Sequence, residues 1–151
     1  MNTKFLITGF GAVFTIAVLL GGSIAPAMAG ISEPARDCGG KPTISGTSGD
    51  DDFGFTDGAA DVYNMKDGED TVDDLDFAGQ QDTARMGDGD DTATLRGGSD
   101  TVCLGDGDDT AYTNDGWQDL IKCGDGDDTV TVDSFDILED CENVTISNGE
   151  F

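Results

Sequence analysis

The chain has 151 residues, 23 of them Gly, and a formal net charge of −25, because 32 acidic residues stand against 7 basic ones. Such a negative charge argues against nucleic acids and anionic membrane surfaces as partners, since both are negatively charged themselves. Large aliphatic side chains are few for one domain of this length, so burial of apolar surface alone is not expected to hold the fold together.

Residues 1–29 have the features of a secretory signal peptide. A positive charge at Lys4 precedes an apolar run from Phe5 to Leu20, and small residues follow up to Ala29. A single transmembrane helix is the alternative, but Gly residues interrupt the apolar run and it ends at an A-x-A cleavage site. We therefore expect an exported, extracellular protein that has no membrane partner once the signal is removed.

An N-terminal segment, residues 30–43, precedes an array of short repeats over residues 44–132. The phrase Gly-Asp-Gly-Asp-Asp-Thr opens at Gly87, Gly105 and Gly124, and weaker copies lie between and before these positions. A period of about nine residues is the signature of a stacked solenoid. An acidic disordered chain is the alternative that the composition suggests, but such a chain has no reason to keep a strict period.

Each repeat unit joins a Gly-rich acidic turn to a short stretch of alternating residues, such as Thr92–Leu95. The alternation predicts a β-strand. In the turn, Gly adopts backbone angles that other residues resist, and Asp supplies the hard oxygen ligands that Ca²⁺ prefers. Because neighbouring strands lie about 4.8 Å apart, stacked acidic turns would repel one another unless a cation lay between them.

These units resemble the hemolysin-type calcium-binding (RTX) nonapeptide G-G-x-G-x-D-x-U-x, in which U is a large apolar residue. The matching positions are Gly89, Gly107 and Gly126 for Gly, Asp91, Asp109 and Asp128 for Asp, and Val102, Ile121 and Val130 for U. At Ala84, Ala93 and Ala111 the U residue is undersized, and Met86, Leu95, Leu104 and Cys123 replace the first Gly and should point inward. The resemblance implies an all-β protein, a parallel β-roll (two-sheet β-solenoid) of about nine short repeats, with calcium between turns two units apart.

Counted alternately, the turns divide into two edges. The first edge carries Asp51, Asp70, Asp91, Asp109 and Asp128, and the second carries Asp61, Asp82, Asp100 and Asp119. All three GDGDD turns belong to the first edge, which predicts a one-sided calcium ladder of up to about four ions.

The resemblance also implies a set of calcium ligands. The first-edge Asp residues would supply carboxylate oxygens, and the turns containing Gly89, Gly107 and Gly126 would supply carbonyl oxygens. Further carboxylates at the same turns, Asp88, Asp106 and Asp125 or Asp90, Asp108 and Asp127, would add charge. A solvated surface carboxylate is the alternative for any one of them, so the prediction rests on the whole set.

Residues 133–151 are predicted to cap the array, because a solenoid exposes sheet edges at its ends. The stretch from Cys123 to Glu142 is similar to the closing segment of exported calcium-repeat proteins, which implies a Cys123–Cys141 disulfide. Cys38 and Cys103 are then left as the second pair, among three pairings that four cysteines allow.

The chain contains no His and no CxxC motif. Zinc sites built on His, Cys-His pairs and Ser-His-Asp triads are therefore not indicated. A glycosidase needs only paired carboxylates, yet the Asp residues occupy turn positions and no catalytic pair stands out. We expect a binding protein and no enzyme.

The sequence thus predicts a secreted calcium-binding protein that folds on export. The main alternative is an adhesive or ice-binding surface formed by outward-facing Thr92, Thr94, Thr101, Thr110, Thr129 and Thr131, although Thr is favoured on strands in any case. A passive extracellular calcium buffer is a third possibility, for which weak independent sites suffice. A cell-surface or extracellular partner is compatible with each of them, and the sequence does not specify one.

Overall fold

A computed structural model of the protein describes residues 38–55, 58–75 and 79–148, all of which fall in the compact unit Ser32–Phe151. The predicted signal peptide, residues 1–29, lies outside the described residues, as does the part of the 30–43 segment before Cys38. Within the described ranges the secondary structure is entirely β, and no helix there is long and apolar enough to cross a membrane.

Twelve strands follow one another along the chain, each starting near one of the predicted alternating stretches. They are β1 (Ile44–Ser45), β2 (Asp52–Phe55), β3 (Val62–Asp67), β4 (Thr71–Asp74), β5 (Thr83–Asp88), β6 (Thr92–Leu95), β7 (Thr101–Asp106), β8 (Thr110–Tyr112), β9 (Leu120–Asp125), β10 (Thr129–Val132), β11 (Ile137–Glu139) and β12 (Asn143–Ile146). Odd-numbered strands form one 6-stranded sheet and even-numbered strands form the other, both in sequence order. All the strand pairs are parallel, as in the pairing of β5 with β7. The predicted two-sheet parallel β-solenoid is confirmed.

The core lies between the two sheets and is built from one residue in two along each strand. In β5 and β6 the exposure pattern alternates between partly exposed and buried. The predicted inward-facing residues are fully buried, and they are Ala84, Met86, Ala93, Leu95, Val102, Leu104, Ala111, Ile121, Cys123 and Val130. Side-chain size varies along the stack: in the odd-numbered sheet Ala84 pairs with Val102 and Val102 with Ile121, whereas in the even-numbered sheet Ala93 pairs with Ala111.

The predicted C-terminal cap is itself a further coil of the solenoid. Strand β11 pairs with β9, and β12 pairs with β10. Both expected disulfides are present: Cys123–Cys141 ties β9 to the turn between β11 and β12, and Cys38–Cys103 ties the segment before β1 to β7. Paired cysteines are typical of proteins that live in an oxidising environment.

Candidate functional site

The turns between strands stack along two opposite edges of the solenoid. Turns that lead from an odd-numbered to an even-numbered strand form the first edge, and turns that lead from an even-numbered to an odd-numbered strand form the second. Each first-edge turn before β2, β4, β6, β8 and β10 ends in an Asp, which brings Asp51, Asp70, Asp91, Asp109 and Asp128 into one column. The alternating division of the turns that the sequence predicts is therefore confirmed.

Within each column, every carboxylate after the first accepts a hydrogen bond from the backbone of the preceding coil. On the first edge, Oδ1 of Asp70, Asp91, Asp109 and Asp128 accepts the backbone N–H of Asp51, Asp70, Asp91 and Asp109 at 2.7, 2.7, 2.7 and 2.9 Å. On the second edge, Asp82, Asp100, Asp119 and Asp136 accept from Asp61, Asp82, Asp100 and Asp119 at 2.7, 2.8, 2.8 and 2.9 Å. This hydrogen-bonded ladder uses only one oxygen of each carboxylate.

The other carboxylate oxygen is buried without a hydrogen-bond partner in much of the ladder. On the first edge this holds for Oδ2 of Asp70, Asp91, Asp109 and Asp128, whose residues are at most 2% exposed. On the second edge it holds for Asp100 and Asp119. A buried carboxylate oxygen without a partner is costly, so each of these atoms calls for a proton or a cation.

The first-edge turns stack so closely that only Gly fits at their contact points. Gly89, Gly107 and Gly126 have φ angles of +132°, +147° and +157°. A Cβ on each would overlap the carbonyl group of the corresponding Gly one coil earlier in the chain. Backbone N–H groups also connect these turns, for example from Gly89 to the carbonyl oxygen of Asp106 at 2.8 Å. Turn carbonyls and buried carboxylates thus belong to the same stacked turns.

Other predicted first-edge carboxylates lie on the outside. Asp88, Asp106 and Asp125 are exposed and stack in register at the ends of β5, β7 and β9. Asp90 and Asp108 are also exposed, and Oδ1 of each accepts the backbone N–H of the Asp one coil later, at 3.0 Å in both cases. These groups surround the ladder with negative charge, and solvent screens them more than it screens the buried column.

Carboxylates of the second-edge turns that lie outside the ladder also accept hydrogen bonds from the backbone. Oδ2 of Asp115 accepts the N–H of Gly97, and Oδ2 of Asp133 accepts the N–H of Gly116 at 2.7 Å. Oδ1 of Asp115 also accepts the N–H of Trp117, whose side chain is 53% exposed. Close stacking occurs on the second edge at Gly98, where a Cβ would overlap the carbonyl of Gln80, but not at Gly116, where a Cβ would meet no atom within 4 Å.

Burial raises the pKa values of the ladder carboxyls, with repulsion between neighbouring carboxylates acting in the same direction. On the first edge the pKa of Asp91 is about 7 and that of Asp109 about 6, and the pKa values of Asp70 and Asp128 are also raised. On the second edge the pKa of Asp100 is about 7, that of Asp119 about 9 and that of Asp136 about 6. At neutral pH the second edge therefore keeps a proton on Asp119.

The variant Asp119→Asn is expected to gain stability relative to the wild type as the pH rises. The folded protein keeps the Asp119 proton up to a pKa of about 9, whereas the unfolded chain releases it near 3.8. The folded state therefore holds more protons between these values, and the wild type loses stability by up to about 1.4 kcal/mol per pH unit as the pH rises. Urea unfolding of both proteins at a series of pH values measures the difference. If the difference in unfolding free energy between the two proteins stays constant from pH 6 to 9, the raised pKa of Asp119 is contradicted.

Within the described ranges, no three Asp, Glu, His or Cys side chains converge closely enough to hold a metal by themselves. A cation on the first edge would therefore need backbone carbonyl oxygens in addition to carboxylates. The stacked turns offer both, since the unpaired Oδ2 atoms of Asp91 and Asp109 belong to consecutive turns that contact each other through Gly89 and Gly107. The donors fit a hard cation with an all-oxygen ligand set.

Several residues of this arrangement were not indicated by the repeat pattern. Asp136 continues the second column, and Oε2 of Glu142 accepts the N–H of Asp128 at 3.3 Å, which ends the first column. Buried Tyr63 donates its hydroxyl to Asp74 at 2.7 Å inside the core. Asp136 and Glu142 lie beyond the last clear repeat, and only the pairing of the final coil with β9 and β10 brings them into the two columns.

Comparison with known proteins gives no relative from which a function can be transferred. No protein-family model matches the chain, and neither the curated proteins nor the solved structures contain a match. The fold and the chemistry of the stacked turns therefore carry the functional conclusion.

Proposed function

We propose that this is a secreted calcium-binding β-roll whose first-edge turns bind Ca²⁺ between successive coils and which folds as the ions bind. The observation that carries the proposal is the column of buried, unpaired Oδ2 atoms on Asp70, Asp91, Asp109 and Asp128. Each belongs to a first-edge turn whose Gly residues stack tightly on the neighbouring coil, as the RTX resemblance leads one to expect. Calcium would supply the positive charge that these oxygens lack.

The type of donor favours calcium over other metals. The chain has no His, and the cysteines of the described part form disulfides, so the imidazole and thiolate ligands that zinc prefers are missing there. Calcium accepts several carboxylate and carbonyl oxygens in flexible geometry, whereas magnesium demands a smaller octahedral site and keeps some of its water. Stacked turns with both kinds of oxygen suit the larger ion.

The charge balance supports a requirement for bound cations. With 32 acidic and 7 basic residues, basic side chains cannot neutralise the carboxylates. Two adjacent buried carboxylates that are both ionised repel each other strongly, because charges interact more strongly away from water. An ion between them converts this repulsion into attraction, so binding and folding are expected to occur together.

The proposal also connects folding with export. The disulfides indicate an oxidising environment, and extracellular calcium modules work with dissociation constants in the range of about 0.1 to 1 mM. A chain that remains unfolded where free calcium is low would cross the membrane readily and then fold outside the cell. Export itself rests on the signal peptide that the sequence predicts over residues 1–29.

A calcium titration of the exported protein, with both disulfides formed, tests this proposal. We expect far-UV circular dichroism to report a cooperative change from coil to β-structure, and calorimetry to count about three to four ions. Magnesium is the control and should be much less effective at the same concentration. Full β-structure in a calcium chelator, unchanged when calcium is added, would contradict the proposal.

The alternative of a surface-binding Thr face has one structural observation in its favour. Thr71, Thr92, Thr110 and Thr129 form a continuous row across the even-numbered sheet. Two positions further along each strand, the next row on the same face contains Asp73, Thr94, Tyr112 and Thr131, so the array of Thr is interrupted there. Ice or cell-wall binding by the calcium-loaded protein, lost when Thr110 is replaced by a bulky residue, would favour this second function.

A further inference from the structure

The first interval of the ladder, between Asp51 and Asp70, differs from those that follow it. Strand pairing places Lys66 in register with Gly87, and Gly87 in turn with Gly105. Lys66 shares the left-handed backbone of these glycines, with a φ of 90°. A non-Gly residue is uncommon in this region of backbone space, so the lysine calls for an explanation.

The Lys66 side chain reaches back to the preceding coil of the first edge. Its Nζ donates a hydrogen bond to the carbonyl oxygen of Gly46, in the turn that leads from β1 to β2. Its own backbone carbonyl lies where a Cβ on Gly87 would collide. The ammonium group is thus bonded to a turn carbonyl between two stacked coils, the kind of oxygen that a bound calcium ion would use in the later intervals.

The carboxylate at the start of the first interval is also satisfied by the protein. Oδ2 of Asp51 accepts hydrogen bonds from the backbone N–H of Thr47 at 2.6 Å and from its hydroxyl at 2.9 Å. The corresponding oxygens of Asp70, Asp91, Asp109 and Asp128 are buried and have no partner. Protein donors therefore satisfy the Asp51 carboxylate, whereas each carboxylate from Asp70 onward has one oxygen without a partner.

The surroundings of this interval are strongly acidic. Asp50, Asp51 and Asp67 all lie close enough to Asp70 to disfavour its ionised form. Asp50 also accepts the backbone N–H of Glu69 at 3.1 Å, which ties the first two turns together. A positive charge held at the Gly46 carbonyl, in the same pair of turns, would offset part of this repulsion without an ion from solution.

We infer that the Lys66 ammonium takes the place of a calcium ion between the first two turns of the first edge, so that ions bind only in the intervals from Asp70 to Asp128. This inference rests on the proposed calcium-binding function and limits its stoichiometry. Lys66 would thus give the first two coils of the roll a positive charge of their own between the stacked turns. The later coils, which require calcium, stack onto that pair.

The test compares the number of calcium ions bound by the wild type, Lys66→Met and Lys122→Met, each in the exported and oxidised form. Native mass spectrometry counts the ions, and hydrogen exchange follows the amides of β2 to β4 in calcium and in chelator. Met keeps the unbranched shape, most of the length and the backbone strain of Lys66 but removes its charge. Lys122 is the matched control, because it pairs with Glu139 at 2.9 Å on the outer face of β9.

We expect Lys66→Met to bind about one ion more than the wild type, because calcium replaces the lost charge. We also expect it to lose amide protection in β2 to β4 when calcium is removed. Lys66→Gly, which has the residue found at positions 87, 105 and 124, is the second variant and should gain the same ion without backbone strain. Lys122→Met should match the wild type in both measurements.

Two results would overturn the inference, and they are distinguishable. If the wild type binds calcium but both Lys66 variants match Lys122→Met in ion count and amide protection, the inference fails and the proposed function stands. If the wild type binds no calcium, the proposed function fails and the inference fails with it.

Discussion

Replacement of Asp109 by Asn is expected to raise the calcium concentration needed for folding at least about tenfold and to remove at least about one bound ion. Asp109 lies in the middle of the first column: its Oδ1 accepts the N–H of Asp91, its own N–H donates to Asp128, and its Oδ2 is buried without a partner. Asn preserves the size and one acceptor oxygen. It removes the negative charge and puts an amide group where the cation would bind.

The matched control is Asp119→Asn on the second edge. Asp119 occupies the same place in its column, accepting from Asp100 and donating to Asp136 at 2.8 and 2.9 Å. Its raised pKa means that the protein already holds it protonated at neutral pH, so a neutral substitute should leave the number of bound ions unchanged. Calorimetric calcium titrations of the two variants measure the contrast. Equal losses of calcium binding in the two variants would contradict the prediction that calcium binds only along the first edge.

The second large effect is expected for Gly107→Ala. Gly107 has a φ of +147°, and a Cβ there would overlap the carbonyl group of Gly89 in the stacked turn. Ala can enter only if the two turns move apart, which lengthens the backbone hydrogen bonds between them. We expect a loss of roughly 3 kcal/mol or more in unfolding free energy at saturating calcium.

Gly116→Ala separates the stacking effect from the general cost of a left-handed backbone. Gly116 also has a positive φ, +94°, but a Cβ there would meet no atom within 4 Å. We expect this variant to lose only about 1 to 2 kcal/mol. Urea unfolding in calcium measures both variants, and losses of similar size would show that close stacking of the first edge contributes little to stability.

Calcium dependence should distinguish Gly107→Ala from an ordinary packing mutation. If the turns must separate to admit the methyl group, the oxygens of the first edge also separate, and the calcium midpoint should rise together with the loss of stability. A core truncation such as Val102→Ala, in a fully buried strand position, should lower stability with a smaller change in the number of bound ions. The comparison therefore tests the geometry of the turns independently of the charge on Asp109.

The sequence by itself determined the repeating part of this protein. A short period with Gly and Asp at constant positions predicts stacked coils, and alternation along each strand predicts which side chains enter the core. Val102 and Ile121 were placed inside on that basis, and both are fully buried. The division of the Asp residues into two columns follows from the same period, because alternate turns of a two-sheet coil must lie on opposite edges.

Only the tertiary structure decided what happens where the period is broken. Lys66, Asp115 and Glu142 do not belong to the clear repeats, and their partners are Gly46, Gly97 and Asp128, which lie 14 to 20 residues away. Such contacts depend on the register of adjacent coils and on turn lengths that vary along the chain, so residue types alone do not predict them. The difference between the edges has the same origin. Both columns present buried Asp side chains in one hydrogen-bonding pattern, and only the tertiary structure shows that the unpaired Oδ2 atoms run without a break from Asp70 to Asp128 on the first edge but are confined to Asp100 and Asp119 on the second.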